Sequence, residues 1–212
     1  MVDGPEVEDV KAVVADGYDQ CAETYLAARP DDGADVAELA PLLRALGPGA
    51  AVLDAGCGAG VPVTERLVAA GHRVTALDRS AGQLGLARAH VPSAAVVLGD
   101  LAALPFGSGR FDAVVSYYAI IHVPRVEHHR VFAEIHRVLR PGGYALLCLG
   151  WGDLPEDLDP DSWLGVPMYW SHFDADTNVR LLGDAGLVVR TSTEVTDPMD
   201  HHSHQFVLAS RP

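Results

Sequence analysis

Short apolar runs alternate with amphipathic segments from residue 51 to residue 149, and this alternation constrains the fold more than any other feature. The runs are continuous in alanine, valine and leucine, as expected for strands that are buried on both faces. We predict strands at 50–55, 73–77, 95–98, 111–117 and 144–149, with helices at 63–70, 81–90 and 126–139. This order predicts a parallel sheet covered by helices on both sides, which is the doubly wound α/β fold.

The flanking segments add helices at one end and a hairpin at the other. Apolar residues recur at steps of three and four from Val7 to Tyr25, which predicts a helix that ends before Pro30. Further predicted elements are a helix at 35–46, a loop at 152–161, a helix at 175–185, and strands at 187–194 and 205–209. The short turn between the last two strands favours an antiparallel hairpin, so we expect a mostly parallel sheet of seven strands.

Composition and charge restrict the partners and the compartment. The chain has 29 Asp and Glu against 15 Lys and Arg, and its formal net charge of -14 disfavours DNA, RNA and anionic membranes. We expect no membrane span, because no run of about 18 uncharged apolar residues occurs, and the first residues lack the pattern of a secretory signal. Cys21, Cys57 and Cys148 are odd in number and far apart, which favours a reducing compartment and predicts a cytoplasmic protein.

A glycine-rich turn and two carboxylates follow the first three predicted strands. The turn lies in VLDAGCGAG at 52–60, where glycines let the backbone approach a ligand closely. Asp78 ends the second strand and Asp100 follows the third, so both are expected at the sheet edge where ligands of parallel sheets bind. These carboxylates can accept hydrogen bonds from ribose hydroxyls and from the exocyclic amine of adenine, respectively. With Ser116 at the end of the fourth strand, the pattern predicts a nucleoside-sized ligand.

Five segments in this order resemble the class I S-adenosylmethionine-dependent methyltransferases: VLDAGCGAG, VTALD, GDLAALPF, FDAVVSYYAIIHV and RVLRPGGYALL. The segments YDQCAETY at 18–25 and MYWSHFD at 168–174 are similar to a bacterial branch that acts on small molecules. The resemblance implies a Rossmann-like methyltransferase fold, S-adenosylmethionine as the cofactor, and methyl transfer to an oxygen, nitrogen or sulfur atom of a neutral or cationic small molecule. It implies a single domain over 1–212, with a helical cap over the cofactor cleft (1–48), a cofactor-binding core (49–150), and a substrate loop, helix and hairpin (151–212).

The resemblance also assigns cofactor roles to individual residues. Asp54 and the glycine turn are expected to hold the methionine end of the cofactor, with Arg29 as a possible partner of its carboxylate. Asp78 is expected at the ribose, and Asp100 with Leu101 at the adenine. The full expected set is Tyr18, Tyr25, Arg29, Asp54, Ala55, Gly56, Cys57, Gly58, Gly60, Asp78, Arg79, Gln83, Asp100, Leu101, Ser116 and Tyr117.

Methyl transfer needs the acceptor, the methyl carbon and the sulfur in line, with water excluded and a base where the acceptor carries a proton. His122, just beyond the fourth strand, is the first candidate base and His172 the second. Tyr169 is a further catalytic candidate. Aromatic residues expected to wall the acceptor pocket are Tyr117, Tyr118, Trp163, Tyr169 and Trp170.

Three histidines near the C-terminus resemble a metal cluster at first sight. On a strand, however, His202 and His204 share one face and His201 points to the other, and no cysteine is near. We therefore expect a polar hairpin end and no bound metal.

Two other functions are compatible with parts of this pattern. A nicotinamide-dependent oxidoreductase also has a glycine turn followed by an acid, but its third glycine would fall at Val61, whereas here it is Gly60. A non-methylating descendant that retains the cofactor, such as a cyclase, stays open because a fold does not determine its chemistry.

Overall fold

The structure, a computed structural model, describes residues 7–212 without the side chains of residues 160–162. The strands are β1 (Ala51–Ala55), β2 (Arg73–Asp78), β3 (Ala95–Leu98), β4 (Phe111–Ser116), β5 (Leu139–Gly150), β6 (Leu154–Trp163), β7 (Val166–His172), β8 (Val188–Thr196) and β9 (Ser203–Ser210). The helices are α1 (Val7–Ala28), α2 (Ala34–Ala37), α3 (Leu39–Ala45), α4 (Val63–Ala69), α5 (Ala81–His90), α6 (His128–Val138) and α7 (Ala175–Asp184). Short 3₁₀ segments at Ile120–His122 and Arg125–Glu127 join β4 to α6.

Seven of the strands form one sheet in the order β3-β2-β1-β4-β5-β9-β8. The first five strands of the chain pair in parallel, and β9 lies antiparallel to both β5 and β8. The predicted fold is therefore confirmed, including the hairpin at the C-terminal side. Because β1 lies between β2 and β4, the loops after these three strands meet at one edge of the sheet.

Both faces of the sheet are buried, as the continuous apolar runs require. Along β4, Val114 faces the cluster of Phe132 and Ile135 on α6, whereas Ala113 and Val115 face the opposite cluster. Residues of α3 and α4 complete that second cluster. Since neighbouring residues of a strand point to opposite faces, only an apolar run satisfies both layers.

The prediction of a loop at 152–161 is wrong over most of that segment. The segment forms β6, which pairs antiparallel with β7 through a turn at Leu164 and Gly165. Both turn residues have positive φ values, 54° and 78°, as tight hairpin turns require. Pro155 does not prevent the strand, since proline is tolerated on an edge strand where its nitrogen need not donate. The helix predicted at 35–46 is divided at Glu38 into α2 and α3.

Helix α1 crosses the carboxyl edge of the sheet and packs between β7 and α5. Gly17 on α1 lies against the carbonyl of Pro167, where a Cβ atom would approach that oxygen to 2.5 Å. Asp19 accepts a hydrogen bond of 2.8 Å from the backbone N–H of Gly82 in the first turn of α5. The helix is thus fixed at both contacts and forms one wall of the cleft beneath it. Within the described residues, α1 and the other helices are all too short or too polar to span a bilayer.

Candidate cofactor and acceptor site

A cleft of about 680 Å³, partly open to solvent, lies between α1 and the carboxyl ends of the central strands. Its lining residues are Lys11, Val14, Tyr18, Tyr25, Gly56, Gly58, Asp78, Arg79, Gln83, Asp100, Leu101, Tyr117, Tyr118, Ala119, His122 and Val123. Most of the residues predicted to hold a cofactor therefore line this one cleft.

The glycine turn after β1 exposes its backbone to this cleft. Gly56 has a φ of 83°, and a Cβ atom there would overlap the side chain of Ala119. Its N–H donates to the carbonyl of Leu77 at 2.7 Å, which attaches the turn to the end of β2. Glycine is thus required at this position both by the backbone conformation and by the space available.

Asp78 is held in a fixed orientation at the floor of the cleft. One carboxylate oxygen accepts from the N–H of Gly58 at 2.8 Å, and the other accepts from the N–H of Ser80 at 2.9 Å. Burial raises the pKa of Asp78, and the backbone hydrogen bonds act against this shift. Each oxygen has a second lone pair, so the carboxylate can still accept bonds from a ligand diol.

Gln83, on the first turn of α5, lines the same cleft with an amide that has no partner. The residue is 1% exposed, and neither its oxygen nor its nitrogen makes a hydrogen bond among the described residues. An unsatisfied buried amide is unfavourable, so a polar ligand that supplies a donor and an acceptor fits this position. The residues present therefore fit a nucleoside cofactor in the cleft.

Asp100 shares its carboxylate with two cations that the sequence analysis did not pair with it. Lys11 on α1 donates to it at 2.9 Å, and Arg79 donates to the same oxygen at 2.6 Å. Lys11 is 5% exposed and also contacts the carboxylate of Glu127. Burial acts to raise the pKa of Asp100, but the hydrogen bond from Lys11 lowers it, and the pKa lies below its ordinary value. Helical spacing could have indicated that Lys11 is buried, because it lies on the same face of the helix as Val7 and Val14.

A second cavity of about 470 Å³ continues from the first toward Asp54 and Arg29. Asp54 is buried and accepts a hydrogen bond of 2.5 Å from the hydroxyl of Thr64. Burial raises the pKa of Asp54 to about 7, and the bond from Thr64 offsets part of the effect. Arg29 already has a carboxylate partner, the buried Asp35, and its guanidinium lies 4.4 Å from the ring centre of Tyr118.

His122 and Tyr18 form a hydrogen-bonded pair at the junction of the first cavity with a third. The His122 Nδ1 atom lies 2.7 Å from the carbonyl oxygen of Tyr169, which only accepts, so Nδ1 carries the proton of the neutral ring. The Nε2 atom lies 3.0 Å from the Tyr18 hydroxyl and accepts from it. Burial lowers the pKa of His122 to about 4 and raises that of Tyr18 well above its ordinary value, so both groups are neutral at pH 7.

The third cavity, of about 280 Å³, has aromatic walls and an acidic rim. It shares with the first cavity the side chains of Tyr18, Tyr25, Tyr118 and His122. The indoles of Trp163 and Trp170 also line it, and they contact the rings of Tyr25 and His122, respectively. The remaining lining residues are Arg29, Ile121, Asp197, Met199 and Asp200. The acidic residues belong to the turn between β8 and β9, which was predicted only as the connection of a hairpin.

Several predicted site residues lie outside the lining of these three cavities. Gly60 packs against Val91 after α5, and the Ser116 hydroxyl donates to the carbonyl of Ala55 at 2.7 Å. His172 packs over Gly150, and its Nδ1 atom bonds the carbonyl of Gly152 at 2.8 Å. Tyr169 is buried and contacts the site through its backbone carbonyl. These residues support the shape of the site, whereas Cys57 lines the second cavity directly.

Comparisons with known proteins find methyltransferases. Residues 52–143 match a family described as "Methyltransferase domain". An uncharacterized methyltransferase from Synechocystis sp. is 36% identical over 141 residues, which cover 65% of this chain and 63% of the relative. A sterol 24-C-methyltransferase from Gibberella zeae is 39% identical over 102 residues, or 45% of this chain and 26% of that protein. The chain thus spans less than two thirds of the length of either relative.

A solved structure matches nearly the whole chain. It is the 1,6-didemethyltoxoflavin-N1-methyltransferase from Burkholderia thailandensis, with bound 1,6-didemethyltoxoflavin and S-adenosylhomocysteine. The identity is 25% and the TM-score is 0.78, with 99% of this chain and 93% of that chain covered.

Proposed function

We propose that the chain is a class I S-adenosylmethionine-dependent methyltransferase, and that it transfers the methyl group of S-adenosylmethionine to an oxygen, nitrogen or sulfur atom of a small molecule. When bound, this cofactor supplies an electrophilic methyl group on a positively charged sulfur. The observation that carries the proposal is the convergence of the Gly58 N–H, the Asp78 carboxylate and the unpartnered Gln83 amide on one cleft.

Each part of the cofactor has a group of suitable chemistry in the cleft. Asp78 would accept from the ribose hydroxyls, and Gln83 would complete its hydrogen bonds with the same nucleoside. Asp100 and Leu101 would hold the adenine, with Arg79 and Lys11 keeping the carboxylate ionised. The methionine end would extend into the second cavity toward Asp54, where a buried carboxylate suits an ammonium group. Tyr25 and Tyr117 line both cavities, and Cys57 lines the second.

We propose the third cavity as the acceptor pocket. It shares Tyr18 and His122 with the cofactor cleft, so an acceptor there would face the methyl group. Its aromatic walls favour a planar or apolar acceptor, and Asp197 and Asp200 favour a neutral or cationic one over an anion. The Burkholderia protein, with its heteroaromatic ligand, is consistent with an acceptor of this class.

His122 is proposed as the base that removes the acceptor's proton. Its Nδ1–H is committed to the carbonyl of Tyr169, which leaves the Nε2 lone pair facing the Tyr18 hydroxyl. Tyr18 would take the proton of the acceptor as it passes its own to Nε2. We assign no catalytic role to the His172 ring or the Tyr169 hydroxyl, because neither residue lines the described cavities.

The same arrangement suggests roles for the parts of the chain. We propose one domain over residues 1–212, in which the described part of residues 1–48 caps the cleft, residues 49–150 bind the cofactor and residues 151–212 shape the acceptor side. The three cysteines are free, which supports our proposal of a cytoplasmic protein. Net charge supports a small-molecule partner over nucleic acid or a membrane.

The test is transfer of isotopically labelled methyl groups to a panel of phenols, heteroaromatic amines and thiols. We expect transfer by the unaltered protein, and a kcat at least about 100-fold lower for His122→Gln, since general bases typically contribute 10²–10⁴-fold. The affinity of His122→Gln for S-adenosylhomocysteine should change less than about threefold, because the base contributes to the chemical step. His129→Gln is the control, because His129 is exposed on α6. Equal turnover of the two variants would remove His122 as the base, and tight cofactor binding without any transfer would favour a non-methylating function.

A further inference from the structure

The turn between β8 and β9 gathers three side chains that take no part in the proposed proton and methyl transfer steps. Asp197 follows β8, Asp200 lies within the turn and His204 is the second residue of β9. One carboxylate oxygen of each aspartate and one ring nitrogen of the histidine all lie within 4.8 Å of one another. The cluster differs from the three histidines considered in the sequence, of which it contains only His204.

His204 is the observation that indicates a ligand. Its side chain is 7% exposed, and neither ring nitrogen makes a hydrogen bond of good geometry among the described residues, although the backbone of Leu149 lies near the ring. The Nε2 atom lies 4.0 Å from an oxygen of Asp197, which is too long for a direct hydrogen bond. The ring is held in place by an edge contact with Tyr118, 5.1 Å between ring centres. A buried imidazole without a well-formed hydrogen bond, facing two carboxylates, is accounted for by an ion bound between them.

Backbone contacts orient the two aspartates toward this gap. The Oδ1 atom of Asp197 accepts from the N–H of Met199 at 2.6 Å, and that of Asp200 accepts from the N–H of His202 at 2.8 Å. The Oδ2 atoms form their ion pairs only with histidines in the described part of the chain. Arg29, which lines the same cavity, is bound to Asp35. Among the described residues, the two aspartates therefore form no ion pair with a lysine or an arginine.

We propose that Asp197, Asp200 and His204 bind one divalent transition-metal ion of the Mn²⁺, Co²⁺ or Zn²⁺ type. Nitrogen and oxygen donors at about 2.0–2.2 Å from such an ion lie at most about 4.4 Å apart, so a small contraction of the cluster would close the site. The imidazole favours these ions over Mg²⁺ and Ca²⁺, which prefer oxygen donors alone. Three protein ligands leave positions open for water or for an exogenous donor atom.

The position of the site gives the ion a further use, which rests on the proposed function. Asp197 and Asp200 line the acceptor pocket together with Tyr18, His122 and Trp170. An ion held there can coordinate an oxygen or nitrogen atom of the acceptor and fix its orientation beside the methyl donor. Chelating acceptors, such as vicinal diphenols or hydroxy-substituted heteroaromatics, are the expected class.

The test is a titration of the metal-free protein with Mn²⁺, followed by electron paramagnetic resonance of the free ion. We expect saturable binding of one ion per chain, weakened at least tenfold in Asp197→Asn and in Asp200→Asn. Both substitutions keep an acceptor for the backbone N–H that each aspartate now binds. His201→Asn is the control, because His201 is exposed and asparagine tolerates its φ of 63°.

The imidazole ligand has its own signature. Electron spin-echo modulation from a coordinated nitrogen should appear with Mn²⁺ in the unaltered protein and disappear in His204→Gln. Absence of saturable Mn²⁺, Co²⁺ and Zn²⁺ binding would overturn the site, as would equal affinity of all the variants. Titration with S-adenosylhomocysteine, performed separately, distinguishes failure of the metal site from failure of the cofactor site.

Discussion

The orientation of Asp78 shows how single residues prepare the cleft. Its two oxygens are held by backbone N–H groups of Gly58 and Ser80, one from each neighbouring loop. The carboxylate therefore loses little conformational freedom when a diol binds, and each charge-assisted hydrogen bond contributes more fully to affinity.

We predict that Asp78→Ala weakens the binding of S-adenosylhomocysteine by about 2 kcal/mol or more, because two charge-assisted hydrogen bonds are lost. Isothermal titration calorimetry measures the change directly. Asp176→Ala, an exposed acid on α7, is the control for loss of charge. Unchanged affinity of Asp78→Ala would remove this carboxylate from the cofactor site.

Asp54 predicts a pH dependence of cofactor binding. Its pKa of about 7 means that the carboxylate becomes ionised as the pH rises through neutrality, and only the ionised form pairs with an ammonium group. Affinity for S-adenosylhomocysteine should therefore increase up to about tenfold between pH 6 and pH 8. Binding measured across this range should be nearly flat for Asp54→Asn, and an equally steep profile in that variant would contradict the assignment.

At the scale of elements, α1 is the part that completes the site. It contributes Tyr18 and Tyr25 to the cavities, and Lys11 attaches it to the core through Asp100 and Glu127. Because Lys11 is buried between these two carboxylates, its removal would leave Asp100 with Arg79 and Glu127 with Arg130, both of which are more exposed than Lys11.

We predict that Lys11→Ala lowers the free energy of unfolding by about 3 kcal/mol, since it removes the buried cation that both carboxylates contact. Urea unfolding measures this value. Arg130→Ala is the matched control, because Arg130 contacts the same Glu127 from an exposed position and should change stability by less than about 1 kcal/mol. Equal stability of the two variants would show that the buried pairing does not anchor α1.

Periodicity predicted most elements because each buries an apolar face of regular spacing. The ribbon of β6 and β7 was missed because its prolines and aspartates favour loops, and its stability depends on packing against α1. In this contact Met168 is fully buried beside Cys21 and Val166. Such a strand is determined by its tertiary neighbours, which local sequence does not reveal.

At the scale of the molecule, the residues at strand ends could be predicted, and the contacts between distant segments could not. Asp78 and Asp100 follow neighbouring parallel strands, so topology alone brings them to one edge. The pairing of Tyr18 with His122 joins positions 104 residues apart in the chain, and it depends on how α1 packs. The grouping of Asp197 with His204 depends on the shape of one turn.

Buried histidines predict how stability changes with pH. Burial lowers the pKa of His128 to about 4, so the unfolded chain binds a proton at pH 5 that the folded chain does not, and folding is disfavoured. Asp54 has a raised pKa, so its protonation stabilises the folded chain as the pH falls and partly offsets the effect of His128. A comparison of variants isolates the contribution of His128. Between pH 7.5 and pH 5, the unaltered protein should lose about 2 kcal/mol more stability than His128→Gln in urea unfolding. His129→Gln should follow the unaltered protein, and parallel profiles for all three would contradict the prediction.

The central claim is that the cleft at the ends of β1, β2 and β4 is built for an S-adenosyl cofactor. Calorimetric titration of the unaltered protein with S-adenosylhomocysteine and, separately, with NADH tests this claim most directly. We predict saturable binding of one S-adenosylhomocysteine per chain and no binding of NADH. Binding of NADH without binding of S-adenosylhomocysteine would contradict the account.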